Sequence, residues 1–131
     1  MRSVICHREQ AQEFAARMAE RGQAMIIMHG LFDLADEVEE GAFHHSFQTL
    51  SKHLQNAGMI IGGRCMRHQP HDGYNANGPP TQHYVSIEFT DLEQAERCWS
   101  YIGDPEKPVA DIHRAVLGKV QNTSFFLTSD V

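Results

Sequence analysis

His29 stands inside an apolar run, Met25-Ile-Ile-Met-His-Gly-Leu-Phe, four residues before Asp33, while Tyr84, Ser86 and Glu88 alternate along a stretch further down the chain. A histidine beside a carboxylate in an apolar setting is one way to tune a general base toward neutral pH. His29, Asp33, Tyr84 and Glu88 are therefore the catalytic candidates, with Glu88 or Asp33 placed to orient the imidazole. Ser86, Arg64 and His68 are the candidates for ligand contact. The plainer reading of the same group is a polar network that satisfies itself at an interface, because buried polar groups pair in any case.

His68, His71 and His83 offer a second kind of chemistry. H-x-x-H spacing with a third imidazole suits a divalent metal such as zinc, and Asp72 would complete the set. Against this, solvated turn-rich loops gather histidine and aspartate for reasons of their own. His44, His45 and His53 fall on the polar flanks of a helical stretch, where solvation explains them. Gly62-Gly63 lacks the G-x-G-x-x-G spacing and no Lys-Ser/Thr pair follows, so nucleotide binding has no support. No cofactor can be named from these residues.

The elements that must position these side chains follow from periodicity. Residues 24–34 form a continuous apolar run that reads as a strand buried on both faces, β1. Asp36 and Glu39 have the form of a capping box, and Phe43, Phe47, Leu50 and Leu54 recur on one helical face, giving α1 over residues 37–57 with Gly58 as a left-handed stop. Residues 59–68 read as β2, whose Gly62-Gly63 pair suggests a bulge or a close backbone approach. A turn-rich connection over 69–81 leads to β3, residues 82–90, where His83, Val85, Ile87 and Phe89 alternate with Tyr84, Ser86 and Glu88.

Asp91 and Gln94 repeat the capping pattern ahead of Ala95, Cys98, Trp99 and Ile102, which defines α2 from Asp91 to Ile102, with Trp99 in its core stripe. A short helix over 109–120, α3, precedes the final strand β4 at 124–128. Two β-α-β units joined by a hairpin predict a ferredoxin-like α+β fold with strand order 4-1-3-2 and all helices on one face of the antiparallel sheet. Within it, the alternation puts His29 and Asp33 of β1, with Tyr84, Ser86 and Glu88 of β3, on the bare face. Ahead of this core, which spans residues 24–131, Ala11, Phe14, Ala15, Met18 and Ala19 mark an amphipathic helix over 8–21 in an extension of residues 1–23.

A chain of 131 residues is long enough for one domain with a real core. Eleven basic residues against seventeen acidic ones leave a net charge of −6 and no basic stripe, which argues against nucleic acid as a partner. No stretch has the roughly 20 apolar residues of a membrane span, and charged residues arrive too early for a secretory signal. Three widely separated cysteines, Cys6, Cys65 and Cys98, suit reduced thiols in the cytoplasm.

A bare sheet face carrying apolar residues needs a cover, and pairing with a second copy supplies one. The run from Met25 to Leu34, the phrase Phe89-Thr-Asp-Leu-Glu-Gln-Ala-Glu and the ending from Ile112 to Leu127 resemble the dimeric α/β-barrel superfamily, nearest to its stress-responsive barrel group. That superfamily includes antibiotic-biosynthesis-type monooxygenases, haem-degrading enzymes and many members of unknown function. The resemblance implies a homodimer with a cleft between its two sheets rather than a reaction; the leading reading is that this cleft binds a small, partly apolar organic molecule, with cofactor-free oxidation or isomerisation as the chemistry open to it. A non-enzymatic stress or scaffold dimer and a histidine-based metal-binding module are the alternatives. His113 on α3 resembles the helical haem ligand of some relatives, without further support in the chain.

Overall fold

The computed structural model describes residues 25–74 and 78–131. The predicted N-terminal helix over 8–21 lies outside the described residues. The observed elements are β1 (Ile26–Leu34), α1 (Glu40–Asn56), β2 (Gly62–Arg67), β3 (His83–Phe89), α2 (Leu92–Ile102), α3 (Val109–Leu117) and β4 (Val120–Ser129). The four strands form one antiparallel sheet in the order β2-β3-β1-β4, which is the predicted 4-1-3-2 arrangement of a ferredoxin-like fold. No described helix is long and apolar enough to cross a membrane.

Alternation along β3 decides the two faces. Val85, Ile87 and Phe89 are withdrawn from solvent on the helix side, together with Phe32 of β1 and the Phe43, Phe47, Leu50 and Leu54 stripe of α1. His29 pairs with Ser86, and Leu31 with Tyr84, on the opposite face. That second face is only half covered in the subunit, so β1 is not buried on both sides as its apolar run suggests. The apolar residues there, Ile27 and Leu31, are only partly buried.

Local signals behave unequally. Asp91 Oδ1 accepts from the Gln94 backbone N–H at 2.8 Å, as a cap should. The Gln94 side chain accepts from the Thr90 backbone N–H and donates to the Gly58 carbonyl, so it ties the start of α2 to the end of α1. Gly58 takes a positive φ of 74° just after α1, the conformation its type permits without strain.

The box at Asp36 does not form. Ala35 to Val38 closes a turn through the Ala35 carbonyl, with Glu37 at φ 65°, and the helix begins only at Glu40, with Glu39 as a cap that makes no side-chain bond. The glycine pair in β2 acts by close approach: a Cβ on Gly63 would sit 2.8 Å from Ser51 Oγ and 3.3 Å from the Phe47 ring. β4 is longer than predicted and holds Asn122 at φ 56°, where its pairing with β1 slips by one residue.

Candidate functional site

On the open face, the structure brings together part of the predicted cluster. His29 Nδ1 lies 2.6 Å from the Tyr84 hydroxyl and Nε2 lies 2.8 Å from the Thr128 hydroxyl. One ring nitrogen donates and the other accepts, so both are occupied while the imidazole is neutral. The Phe126 ring stacks on His29 at 4.7 Å and 12°. Ser86 lies directly across from His29, and Arg64 of β2 lies beyond it, exposed; Glu88 faces Ile27 on one side and Gly62 on the other.

Asp33 is drawn away from His29. Its Oδ2 accepts from the Asn122 side chain at 3.0 Å and its Oδ1 from the Gln82 backbone at 2.9 Å, and these two bonds, that to Asn122 foremost, hold its carboxyl below the ordinary range. The carboxylate thus pins the ends of β3 and β4 to β1 and is committed as an acceptor.

The three loop histidines are not brought into one ligand set. No group of three His, Cys, Asp or Glu among the described residues is arranged to hold a metal ion. His71 accepts from the Gly73 backbone, and His68 packs against Gly78. His83 turns to the helix side, where its Nε2 lies 2.9 Å from Glu40 Oε2 and its ring stacks on Phe32 at 5.5 Å. Arg67 reaches the same carboxylate oxygen at 3.2 Å. The His83 bond is the main reason that Glu40 titrates below its ordinary range. His83 Nδ1 and Thr81 Oγ1 are buried and find no partner among the described residues.

The helix side also holds a feature that pattern reading did not locate. Between the sheet and the three helices lies a cavity of about 240 Å3, walled by Met28, Phe47, Leu54, Phe89, Trp99 and Val116 among others. Its few polar neighbours are His113 and Cys98 from the helices and Thr123 from β4. Leu117 and Phe125, both lining residues and both about half exposed, mark its mouth. An apolar cavity of roughly 150 Å3 already holds benzene, so this one has room for a bicyclic or short-chain molecule.

Burial sets the chemistry of the walls. It pushes the His113 imidazole below its ordinary pKa, so this half-buried ring is neutral at pH 7 and adds no charge to an apolar chamber. The Cys98 thiol is pushed up to about 11, which keeps it protonated and unreactive. His53, expected on a solvated flank, instead lies 2.8 Å from the Tyr101 hydroxyl and joins α1 to α2. The signal for the cavity was present only as four separate apolar stripes; none of them shows that the helices leave a void where they meet.

Comparison with known proteins places the molecule among ferredoxin-like α+β proteins, two of them described as dimeric. The chain belongs to a family of unknown function, DUF6614, whose model matches residues 25–130. No curated protein matches it. Similar solved structures include SnoaB, a cofactor-independent oxygenase from Streptomyces nogalater, at 14% identity, TM-score 0.54, covering 82% of this chain and 94% of that one. A DABB-family protein from Mesorhizobium loti is 15% identical with TM-score 0.57, covering 83% of this chain and 99% of its own. A dimeric ferredoxin-like protein of unknown function from Thermobifida fusca is 15% identical with TM-score 0.54, covering 82% and 92%. At these identities the likeness concerns the fold.

Proposed function

We propose that this protein is a homodimer, joined through the open sheet face, in which each subunit binds a small and largely apolar organic molecule in the cavity between its sheet and its helices. The observation that supports the binding reading is the cavity itself: an apolar chamber of about 240 Å3 with one neutral imidazole, His113, in its wall. A chamber with few polar groups selects by shape and apolar area, and a single placed hydrogen-bonding group orients the guest. Trp99, Phe47 and Val116 supply the walls, and His113 and Thr123 are the residues that meet a hydroxyl or carbonyl. A neutral imidazole in such surroundings can also take up a proton from its guest.

The dimer reading is supported by Phe126 and Met66, 47% and 40% exposed on the open face, beside the partly buried Ile27 and Leu31. Cys65 and Cys98 as free thiols fit a reducing compartment, the cytoplasm.

Camphor, a rigid non-fluorescent bicycle, tests the binding reading directly, because Trp99 is the sole tryptophan and lines the cavity. Its emission should change saturably on titration. Val116→Phe, which fills the chamber, should abolish the response while the protein remains folded. An absence of saturable change in the unaltered protein would refute the reading.

A second reading puts the molecule in the cleft between the paired sheets, and the 2.6 Å contact between His29 and Tyr84 favours it. Asp33, Glu88, Ser86, Arg64 and His68 are then the surrounding polar groups. Under that reading camphor binding, followed by calorimetry, is lost in Tyr84→Phe and kept in Val116→Phe.

A further inference from the structure

Strand register lays the open face out as a grid of three rows across four strands. Gly62, Glu88, Ile27 and Thr128 form one row, Arg64, Ser86, His29 and Phe126 the next, and Met66, Tyr84, Leu31 and Ser124 the third. The grid holds one arginine and one carboxylate: Arg64, exposed on the edge strand β2, and Glu88, partly buried on β3, a row apart. Such a diagonal step on a sheet is about 7–8 Å. Neither residue makes an ion pair among the described residues, although Arg67, Arg97 and Arg114 each do. A carboxylate covered by a second sheet needs a partner, and Arg64 is the one arginine or lysine in the grid.

We infer that two symmetry-related ion pairs set the register of the homodimer, each copy's Arg64 meeting the partner's Glu88, with each Phe126 packed on the partner's Leu31. Two copies laid face to face are related by a two-fold axis lying between their sheets. Strands sit about 4.8 Å apart and alternate residues along a strand about 7 Å apart. On that spacing, one oblique axis through the middle of the face, between Ser86 and His29, exchanges Arg64 with Glu88. The same axis carries Phe126, 47% exposed, onto Leu31. The two sheets then cross nearer to a right angle than to alignment. A face that bears each sign once is complementary to its own copy, and a register that stacks Arg64 on the partner's Arg64 is disfavoured by like charge. The inference rests on the open-face reading of the dimer and adds the register to it.

Charge reversal in the full chain, followed by sedimentation and native mass spectrometry, tests it. Arg64→Glu and Glu88→Arg should each weaken the homodimer by about tenfold or more, since each sets like charges opposite one another twice. Mixed in equal amounts, the two variants should form a heterodimer of nearly unaltered affinity, because every position 64 then faces an opposite charge at position 88. A mixture no tighter than either variant alone would overturn the inference. Rescue by the double reversal without rescue in the mixture would place the pair within one subunit and overturn it too. Arg97→Glu on the outer side of α2 changes the net charge equally and should leave the dimer as it was; equal weakening there would assign the effect to net charge, against the inference. The dimer reading fails separately, if the unaltered protein is a monomer or its dimer is indifferent to Leu31→Lys. A dimer that Leu31→Lys splits, but that the mixture does not re-form, refutes the register alone.

Discussion

On one side of β1 and β3, Phe32, Val85, Ile87 and Phe89 are almost wholly withdrawn from solvent and enclose a chamber with a single neutral imidazole in its wall. On the other side the same two strands present His29, Tyr84, Ser86 and Glu88, and the imidazole there has both nitrogens engaged by hydroxyls within 2.8 Å. A group whose hydrogen bonds are all satisfied resists change, whereas an uncharged ring bordering empty space has capacity for a guest. The sheet face richest in titratable residues is thus the better candidate for joining subunits, and the apolar face for holding a molecule.

The comparison can be broken most severely at Phe89, which is fully buried and meets Trp99 edge-on at 6.1 Å. Phe89→Ala should cost about 3–5 kcal/mol in urea unfolding, while Phe126→Ala on the open face should leave subunit stability nearly unchanged. Equal losses would mean that the two faces are not distinct.

Next in size is Leu31→Lys, in the middle of the open face. A charge buried without a partner costs several kcal/mol, so the dimer should weaken by about a hundredfold or more, equivalent to roughly 2.7 kcal/mol. Sedimentation should show a folded monomer where the unaltered protein is paired; a dimer of undiminished affinity would remove the open face as the interface.

The smallest effect concerns His113. Burial holds its folded pKa below the ordinary 6.5, so as pH falls under that value the unfolded chain takes up a proton that the folded chain resists, and stability declines. His113→Leu removes this contribution and should flatten the fall in melting temperature between about pH 7 and pH 5. Asp33 and Glu40, held low by their own hydrogen bonds, continue to lose stability in more acid solution in both proteins. A parallel pair of curves would show that His113 is not desolvated.

How much of this was legible in the chain varies with the range of the interaction. The strict alternation from Gln82 to Thr90 assigned the two faces of β3, and with them the meeting of His29 and Tyr84 across 55 residues. The Asp91 cap and the Gly58 stop depend on neighbours a few residues away, and both form. Asp36 carries the same pattern as Asp91, but Glu37 adopts a left-handed turn that delays the helix, an outcome set by how β1 must leave the sheet. Asp33 looked like a partner for His29 because both lie on one face; the slipped register at Asn122 supplies it with nearer donors. The cavity lay furthest from view, since a void is the difference between the volumes of side chains from six elements and leaves no period of its own.

A single crystallographic soak separates the two faces. With bromocyclohexane diffused into crystals of the full chain, anomalous scattering locates the bromine without reference to any assumed site. A bromine peak is expected between the sheet and the helices, among Phe47, Leu54, Trp99 and Val116. Bromine found only on the open face beside His29 and Tyr84, or nowhere ordered, would contradict the account.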